Sequence, residues 1–229
     1  MAVSVAYQGN VSSGGSSVSS LTCDFSADLS YTPNSDANTL IVVMCYALNT
    51  NGVTYTADSN ATALSWYEIG YQDGGSHPVS AFCVKASSVT SGDVTVYVSS
   101  ARRLRIRVWE VLDAQVETAE FANFPAAGSN AANSGTIDMS ATGEDGGGAV
   151  VVYNQTGSST IGQDSDYTYV TANVNQVEAY NIFTGAQPTA EEHNLTNTSG
   201  TGTQLLAGFG AKAAGGNPWY YYAQQKALT

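Results

Sequence analysis

The chain has 229 residues, 43% of them hydrophobic, with a formal net charge of −12 and only 11% charged side chains. That is enough chain to bury roughly 70% of its unfolded surface in one large domain, with no need of a metal or disulfide staple. The acidic balance, with a pI near 4.2, argues against nucleic acid as a partner, and a Ser-, Thr-, Gly- and Asn-rich composition favours many short strands joined by turns over helices.

In chain order, Val3, Val5 and Tyr7 alternate weakly, as an edge strand or an arm onto a neighbour would. Gly9 to Ser20 is Gly/Ser-rich and reads as a flexible connection. Leu21, Cys23 and Phe25 alternate, and Pro33 ends that strand. Thr39 to Leu48, TLIVVMCYAL, is a continuous apolar run, the pattern of a central strand covered on both faces. Asn51-Gly52 predicts a hairpin into Val53–Ala57. Trp66, Tyr67 and Ile69 mark the next strand, which turns at Asp73-Gly74-Gly75. Val79 to Lys85 and Val94 to Ser100 alternate in turn, with Val94, Val96 and Val98 on one face and Thr95 and Tyr97 on the other.

After Asp113 the pattern loosens through Phe121, Phe124 and Pro125 into a small-residue loop ending near Gly135. Further strands are expected at Thr136–Ala141, Ala149–Tyr153, Tyr167–Val170, Val177–Phe183 and Thr203–Ala211, with Glu144-Asp145 in an acidic turn between the first two. Gly215-Gly216-Asn217-Pro218 breaks into an aromatic tail, and no repeat of fixed short period is visible.

Cys23, Cys45 and Cys83 lie far apart without metal spacing and read as buried free thiols of a reducing compartment; a Cys45–Cys83 bridge is the less favoured alternative. The N-terminus has no basic or apolar segment of the signal-peptide kind, and Leu40–Leu48 is too short to span a bilayer. Triplets such as Asn60-Ala-Thr62 and Asn194-Leu-Thr196 are then compositional.

The segment Arg102 to Leu112, RRLRIRVWEVL, holds all four arginines of the chain. At period two, Leu104, Ile106 and Val108 share one face while Arg103, Arg105 and Arg107 share the other, so the segment is a strand with a buried and a charged side. The arginines are either a solvated face, paired with carboxylates of neighbouring strands, or a surface for acidic groups of another protein or subunit. In the tail, Trp219, Tyr220, Tyr221 and Tyr222 either pack back on the domain or serve as an interface.

Catalytic signatures are sparse. His77 sits beside Pro78 in a turn, and Glu191-Glu192-His193 reads as a solvated loop rather than a metal site. Asp164 and Asp166 have the spacing of hard-cation ligands without the rest of the oxygen-rich pattern. No H-E-x-x-H, G-x-S-x-G or P-loop is present, while a pair of glycosidase carboxylates from distant strands would leave no local signature.

The order and spacing of SLTCDFSADL, TLIVVMCYAL, GVTYTADSNATALSWYEIG, VSAFCVKASSVTSGDVTVYVSS and RLRIRVWEVLDA resembles a β-sandwich domain of tailed-phage virion proteins and some bacterial surface proteins. TIDMSATGEDGGGAVVVYN and LLAGFGAKA extend the resemblance more loosely over the second half. It departs from that pattern in its outward arginines and its aromatic tail. The resemblance implies an all-β, antiparallel, jelly-roll-like β-sandwich at 16–213, between an N-terminal arm at 1–15 and a tail at 214–229. It implies a non-enzymatic structural virion protein, most directly a capsid decoration (cement) protein made in the host cytoplasm. Its partners would be the major capsid protein or other virion proteins and its own copies, a homotrimer first, with no cofactor, metal, nucleic acid or membrane. Interface candidates are Arg103, Arg105, Arg107 and Trp219 to Tyr222. The alternative is a carbohydrate- or receptor-binding module of a tail or fibre, using tyrosine-rich loops around Trp66-Tyr67, Tyr71 and Tyr167 to Tyr169; a polysaccharide-cleaving enzyme is a third reading.

Overall fold

The computed structural model describes residues 2–48, 52–73, 77–122, 124–129, 134–137, 147–155, 161–172, 176–183, 191–195 and 202–212. In the first half the strands are β1 (Ser4–Ser12), β2 (Val18–Asp24), β3 (Leu40–Ala47), β4 (Tyr55–Ser59), β5 (Leu64–Ser65), β6 (Tyr67–Gln72), β7 (Val79–Lys85), β8 (Asp93–Arg102) and β9 (Leu104–Leu112). The second half adds β10 (Ala126–Ser129), β11 (Ser134–Ile137), β12 (Gly148–Gln155), β13 (Thr168–Ala172), β14 (Gln176–Ile182), β15 (Glu191–Asn194) and β16 (Gly202–Phe209). Two short helices, α1 (Phe25–Leu29) and α2 (Thr118–Phe121), fill connections. Every strand pairing among the described residues is antiparallel.

Residues Ser4 to Leu112 form a jelly roll. One sheet has the order β1-β9-β3-β7-β6 and the other β2-β8-β4-β5, so successive strands pass back and forth between two sheets in paired Greek keys. The all-apolar β3 sits in the middle of its sheet, between β7 and β9, and is buried along its whole length. Both its edges are taken. Asn51-Gly52 therefore does not close a hairpin: the strand after β3 is β4 of the opposite sheet, beside β8. Asn51 itself lies outside the described residues, while Gly52 has φ of 66° and its N–H is held by the Asp73 carboxylate at 2.9 and 3.0 Å.

The second half lays another five-stranded sheet, β10-β16-β12-β14-β13, against the outer face of the β3-containing sheet, with β11 and β15 as a separate pair. Among the described residues the three larger sheets are thus stacked, and the β11–β15 pair lies on the far side of the β12 sheet. Between the two sheets of the first half lies one apolar core, with Ile41, Val43, Phe82, Ile106 and Val108 at its centre. Between the β3 and β12 sheets lies a second, with Val42, Met44, Trp109, Val150, Leu205 and Phe209. A smaller cluster covers the far face of the β12 sheet, around Val151, Tyr153, Tyr167 and Leu206.

Three further expectations change, and one alternative is excluded. The N-terminal arm is in part a strand: β1 runs through Gly9 by a bulge and pairs with β9 from Ser4 to Ser12, so the Gly/Ser connection shrinks to the few residues before Val18. The strand expected to run on beyond Phe25 stops at Asp24, whose carboxylate accepts the N–H groups of Ser26 and Ala27 and starts α1. Two segments read as loops, at β10 and β15, pair with β16 and β11. A Cys45–Cys83 bridge is excluded by strand parity: both thiols are free, and they point into different cores on opposite faces of one sheet. The tail at 214–229 lies outside the described residues.

Candidate functional site

The arginine strand is central, not marginal. β9 lies between β1 and β3, so both its edges are paired, and a sheet packs on each of its faces. Leu104, Ile106 and Val108 enter the first core as expected, while the opposite parity, Arg105, Arg107, Trp109 and Val111, faces the β12 sheet. The sequence pattern shows that the row has one side; only the second sheet shows what covers it.

The three candidate arginines meet different fates. Arg103, at the strand's end, is exposed and its Nε donates to the Gly15 carbonyl at 2.9 Å. Arg105 is half-buried and donates from Nη1 to Gln176 Oε1 at 2.8 Å and to the Tyr46 hydroxyl at 3.2 Å. Arg107 is 1% exposed and forms an ion pair and hydrogen bond with Glu178 of β14, itself 1% exposed. Its Nη2 also donates to the Tyr46 hydroxyl at 3.2 Å, and the guanidinium lies 5.6 Å from the Tyr46 ring centroid. As an interface residue Arg107 is therefore corrected: its charge is spent between two sheets of the same chain. That is the carboxylate-pairing alternative, although the carboxylate comes from the facing sheet and not from a neighbouring strand.

Arg107, Glu178 and Tyr46 are sealed from solvent, while Arg105 and Gln176 are partly exposed at the edge of the cluster. Burial and then the nearby Glu178 carboxylate push the Tyr7 hydroxyl well above its ordinary pKa, and burial raises that of Tyr46 against the opposing arginines. The cluster holds two layers together and offers no open acid–base pair for a substrate.

A second polar cluster lies on the far face of the β12 sheet. His193 is fully buried, which corrects its reading as a solvated loop residue. Its Nε2 shares a hydrogen bond with the Tyr169 hydroxyl at 3.0 Å, and Gln204 Nε2 approaches its Nδ1 at 3.2 Å and donates to its carbonyl at 3.0 Å. The Tyr167 ring meets the imidazole edge-on at a centroid distance of 4.4 Å. Burial lowers the His193 pKa from 6.5 to about 4 against the opposing effects of Asp164 and Gln204, so the ring is neutral at physiological pH. The Asp164 carboxylate is engaged by the backbone N–H groups of Asp166 and Asn194 at 3.0 and 2.7 Å, an Asx-type turn in place of a cation loop. Neighbouring Glu191 and Glu192 belong to β15, and their side chains lie outside the described residues. His77 is buried as well, its pKa lowered to about 4 by burial and then by Arg105. Sequence reasoning missed both histidines as buried groups, because what lies around them comes from distant parts of the chain, Arg105 for His77 and Gln204 with the Tyr167 ring for His193.

The aromatic residues proposed for glycan stacking do not form one exposed platform. Trp66 is buried and donates its indole N–H to Ser59 Oγ at 2.8 Å, and Tyr167 is buried beside His193. Tyr67 packs on Phe121, and Tyr71, 37% exposed, is tied by its hydroxyl to the Val53 carbonyl at 2.6 Å. The Asn60 side chain is also committed: its amide donates to the Ser88 carbonyl and its oxygen accepts the N–H groups of Thr90 and Ser91, all at 2.8 Å. Trp219, Tyr220, Tyr221, Tyr222 and Glu144-Asp145 lie outside the described residues. Among the described residues no group of three or more His, Cys, Asp or Glu side chains is placed to hold a metal ion, and no helix is long and apolar enough to cross a membrane.

No family model matches the chain, and no curated protein matches it. Among solved structures, the crystal structure of cucumber necrosis virus aligns over 90% of this chain and 94% of its own at 12% identity and a TM-score of 0.24. A structure of cucumber leaf spot virus aligns over 93% of this chain and 88% of its own at 10% identity and the same TM-score of 0.24. Likeness at that score carries no argument about this chain.

Proposed function

We propose that the protein is a structural virion component, a capsid decoration (cement) protein that binds an assembled shell and stabilises it by mass action. The observation that carries this reading is the jelly-roll connectivity of Ser4–Leu112, an architecture recurrent in capsid and lectin domains. Fold alone does not assign function, and two further features support the structural reading. The ionic groups of the arginine strand and Glu178 join layers rather than line a cleft. The outer face of β2 and β8 carries Ser20, Thr22, Thr95 and the exposed Tyr97, with Thr22 and Thr95 bonded to each other at 2.9 Å, a hydroxyl-bearing surface suited to protein contact. On the resemblance to tailed-phage sandwich domains, the proposed partner is a major capsid protein and the proposed assembly a small homo-oligomer, a trimer first, with Trp219 to Tyr222 and exposed Arg103 at the contacts.

Mass spectrometry of purified virions from the source that encodes the chain tests this directly: the protein is expected at stoichiometric copy number, and its absence overturns the reading. Deleting Asn217 to Thr229 is expected to leave the far-ultraviolet circular dichroism unchanged while weakening self-association or shell binding. Unfolding of that truncation would move the tail from the interface into the protein's own core.

A further inference from the structure

The two five-stranded sheets have one wiring. In chain order, β1, β3, β6, β7 and β9 take the same places in their sheet as β10, β12, β13, β14 and β16 take in theirs, and the β2–β8 pair has its counterpart in β11–β15. The correspondence extends to register. One row across the first sheet reads Gly9, Val108, Val43, Phe82, Glu68. The matching row of the second reads Ala127, Leu206, Val151, Ala179, Tyr169. In each sheet the edge strand beside β7 or β14 bulges at the next residue, Ile69 or Val170, and pairing resumes one row on, at Gly70–Ala81 or Thr171–Glu178. The opposite edge differs, β1 bulging between Tyr7 and Gly9 where β10 runs straight. Side-chain direction agrees as well: Val43, Phe82 and Val108 point away from the facing sheet, as do Val151, Ala179 and Leu206. Shared jelly-roll wiring does not by itself place a bulge at one row of one strand, since a bulge is a local insertion in a particular ladder.

We infer that the chain is two copies of one jelly roll, Ser4–Leu112 and Ala126–Phe209, packed back to back, and that the outer face of the β3 sheet is an interaction surface whose partner is the same face of the second copy. The contacts are reciprocal, as a two-fold interface requires. Arg107 of β9 reaches Glu178 of β14. The counterparts of these strands are β16 and β7, and there Leu205, the counterpart of Arg107, shares the inter-sheet core with Ala81, the counterpart of Glu178. Leu205 Cδ1 lies 3.7 Å from the place a β-carbon on Gly70 would take. One of two equivalent contacts is therefore ionic and the other apolar. That asymmetry distinguishes the copies and sets their register, the use for which buried polar pairs are best attested. The inference is independent of any virion role.

The test uses the full chain with a protease site inserted after the exposed Ala122, cut after folding. The cut halves are expected to co-elute in size-exclusion chromatography with the circular dichroism of the intact chain. R107E in the cut protein is expected to weaken association by about 100-fold or more, because two like charges then meet in a buried site. The charge swap R107E/E178R should restore it, and L205E at the reciprocal contact should separate the halves as R107E does. Wild-type halves that part or unfold on cutting would overturn the inference. So would an L205E protein that stays associated, or a charge swap that leaves folded halves apart.

Discussion

The two jelly rolls use one wiring and fill it differently. In the first, the row that carries Cys45 and Ile106 faces a core closed by the four-stranded sheet β2-β8-β4-β5, and its buried polar member, Ser80, bonds within its own sheet to Glu68 and the Gly70 carbonyl. In the second, the same positions hold Tyr153 and Gln204, and the described cover is the two-stranded pair β11–β15 with the segment from Ile161 to Tyr167. There the interior becomes a polar network in which Gln204 and Tyr169 both hydrogen-bond His193, and the Tyr153 hydroxyl donates to Gln155 at 2.9 Å. A complete second sheet supplies enough apolar area for a dry core. A thinner cover brings backbone and loop polar groups inside, and these must be hydrogen-bonded or cost about 1–3 kcal/mol each.

The largest test falls on the seam between the two units. Arg107→Met or Glu178→Leu alone leaves an unpaired buried charge and is expected to cost about 3–5 kcal/mol in denaturant unfolding, while the double replacement recovers most of that loss. A double variant no more stable than the singles would mean that the pair also fixes the geometry of the seam.

Exchanging the characters of the two cores comes next. Ile106→Gln, which puts the second unit's residue into the first, is expected to cost about 3–4 kcal/mol, since it removes apolar burial and strands an amide. Gln204→Ile should cost less, about 1–3 kcal/mol, through the hydrogen bonds lost at His193. Equal costs, measured by equilibrium unfolding, would abolish the contrast between dry and polar interiors.

Acid should act on the second core through His193. Its folded pKa of about 4 lies below the ordinary 6.5, so between these values the unfolded chain binds a proton that the folded chain refuses. The stability from this group is therefore present above about pH 6.5 and is lost as pH falls toward 4, by on the order of 3 kcal/mol. His193→Gln is expected to flatten that part of the pH–stability curve. His77→Gln should remove a separate contribution of the same sign, since His77 is also buried with a pKa near 4. A His193→Gln curve as steep as wild type would place the acid response elsewhere. Smallest is Asp24→Ala, which removes the two N-cap hydrogen bonds of α1 and should lower stability by about 1 kcal/mol without altering either core.

Much of this was legible in the sequence, and the boundary has a physical cause. Alternation and apolar runs located β3, β7, β8, β9, β12, β14 and β16, because side-chain period depends only on a strand's own residues. The same local rule separated the faces of Arg105–Arg107 and Ile106–Val108 correctly. Which strand lies beside which is a long-range matter. The hairpin expected at Asn51-Gly52 gave way to a crossing between sheets because β7 and β9, far along the chain, already occupy both edges of β3. Arg107 is buried because Glu178, in another sheet, covers it, and His193 is buried because Gln204 and the Tyr167 and Tyr169 rings close around it. The duplication is hidden for the same reason. Register and bulge position survive in the pairing of backbones, while a row such as Val108-Val43-Phe82 can become Leu206-Val151-Ala179 so long as its parity and apolar character are kept.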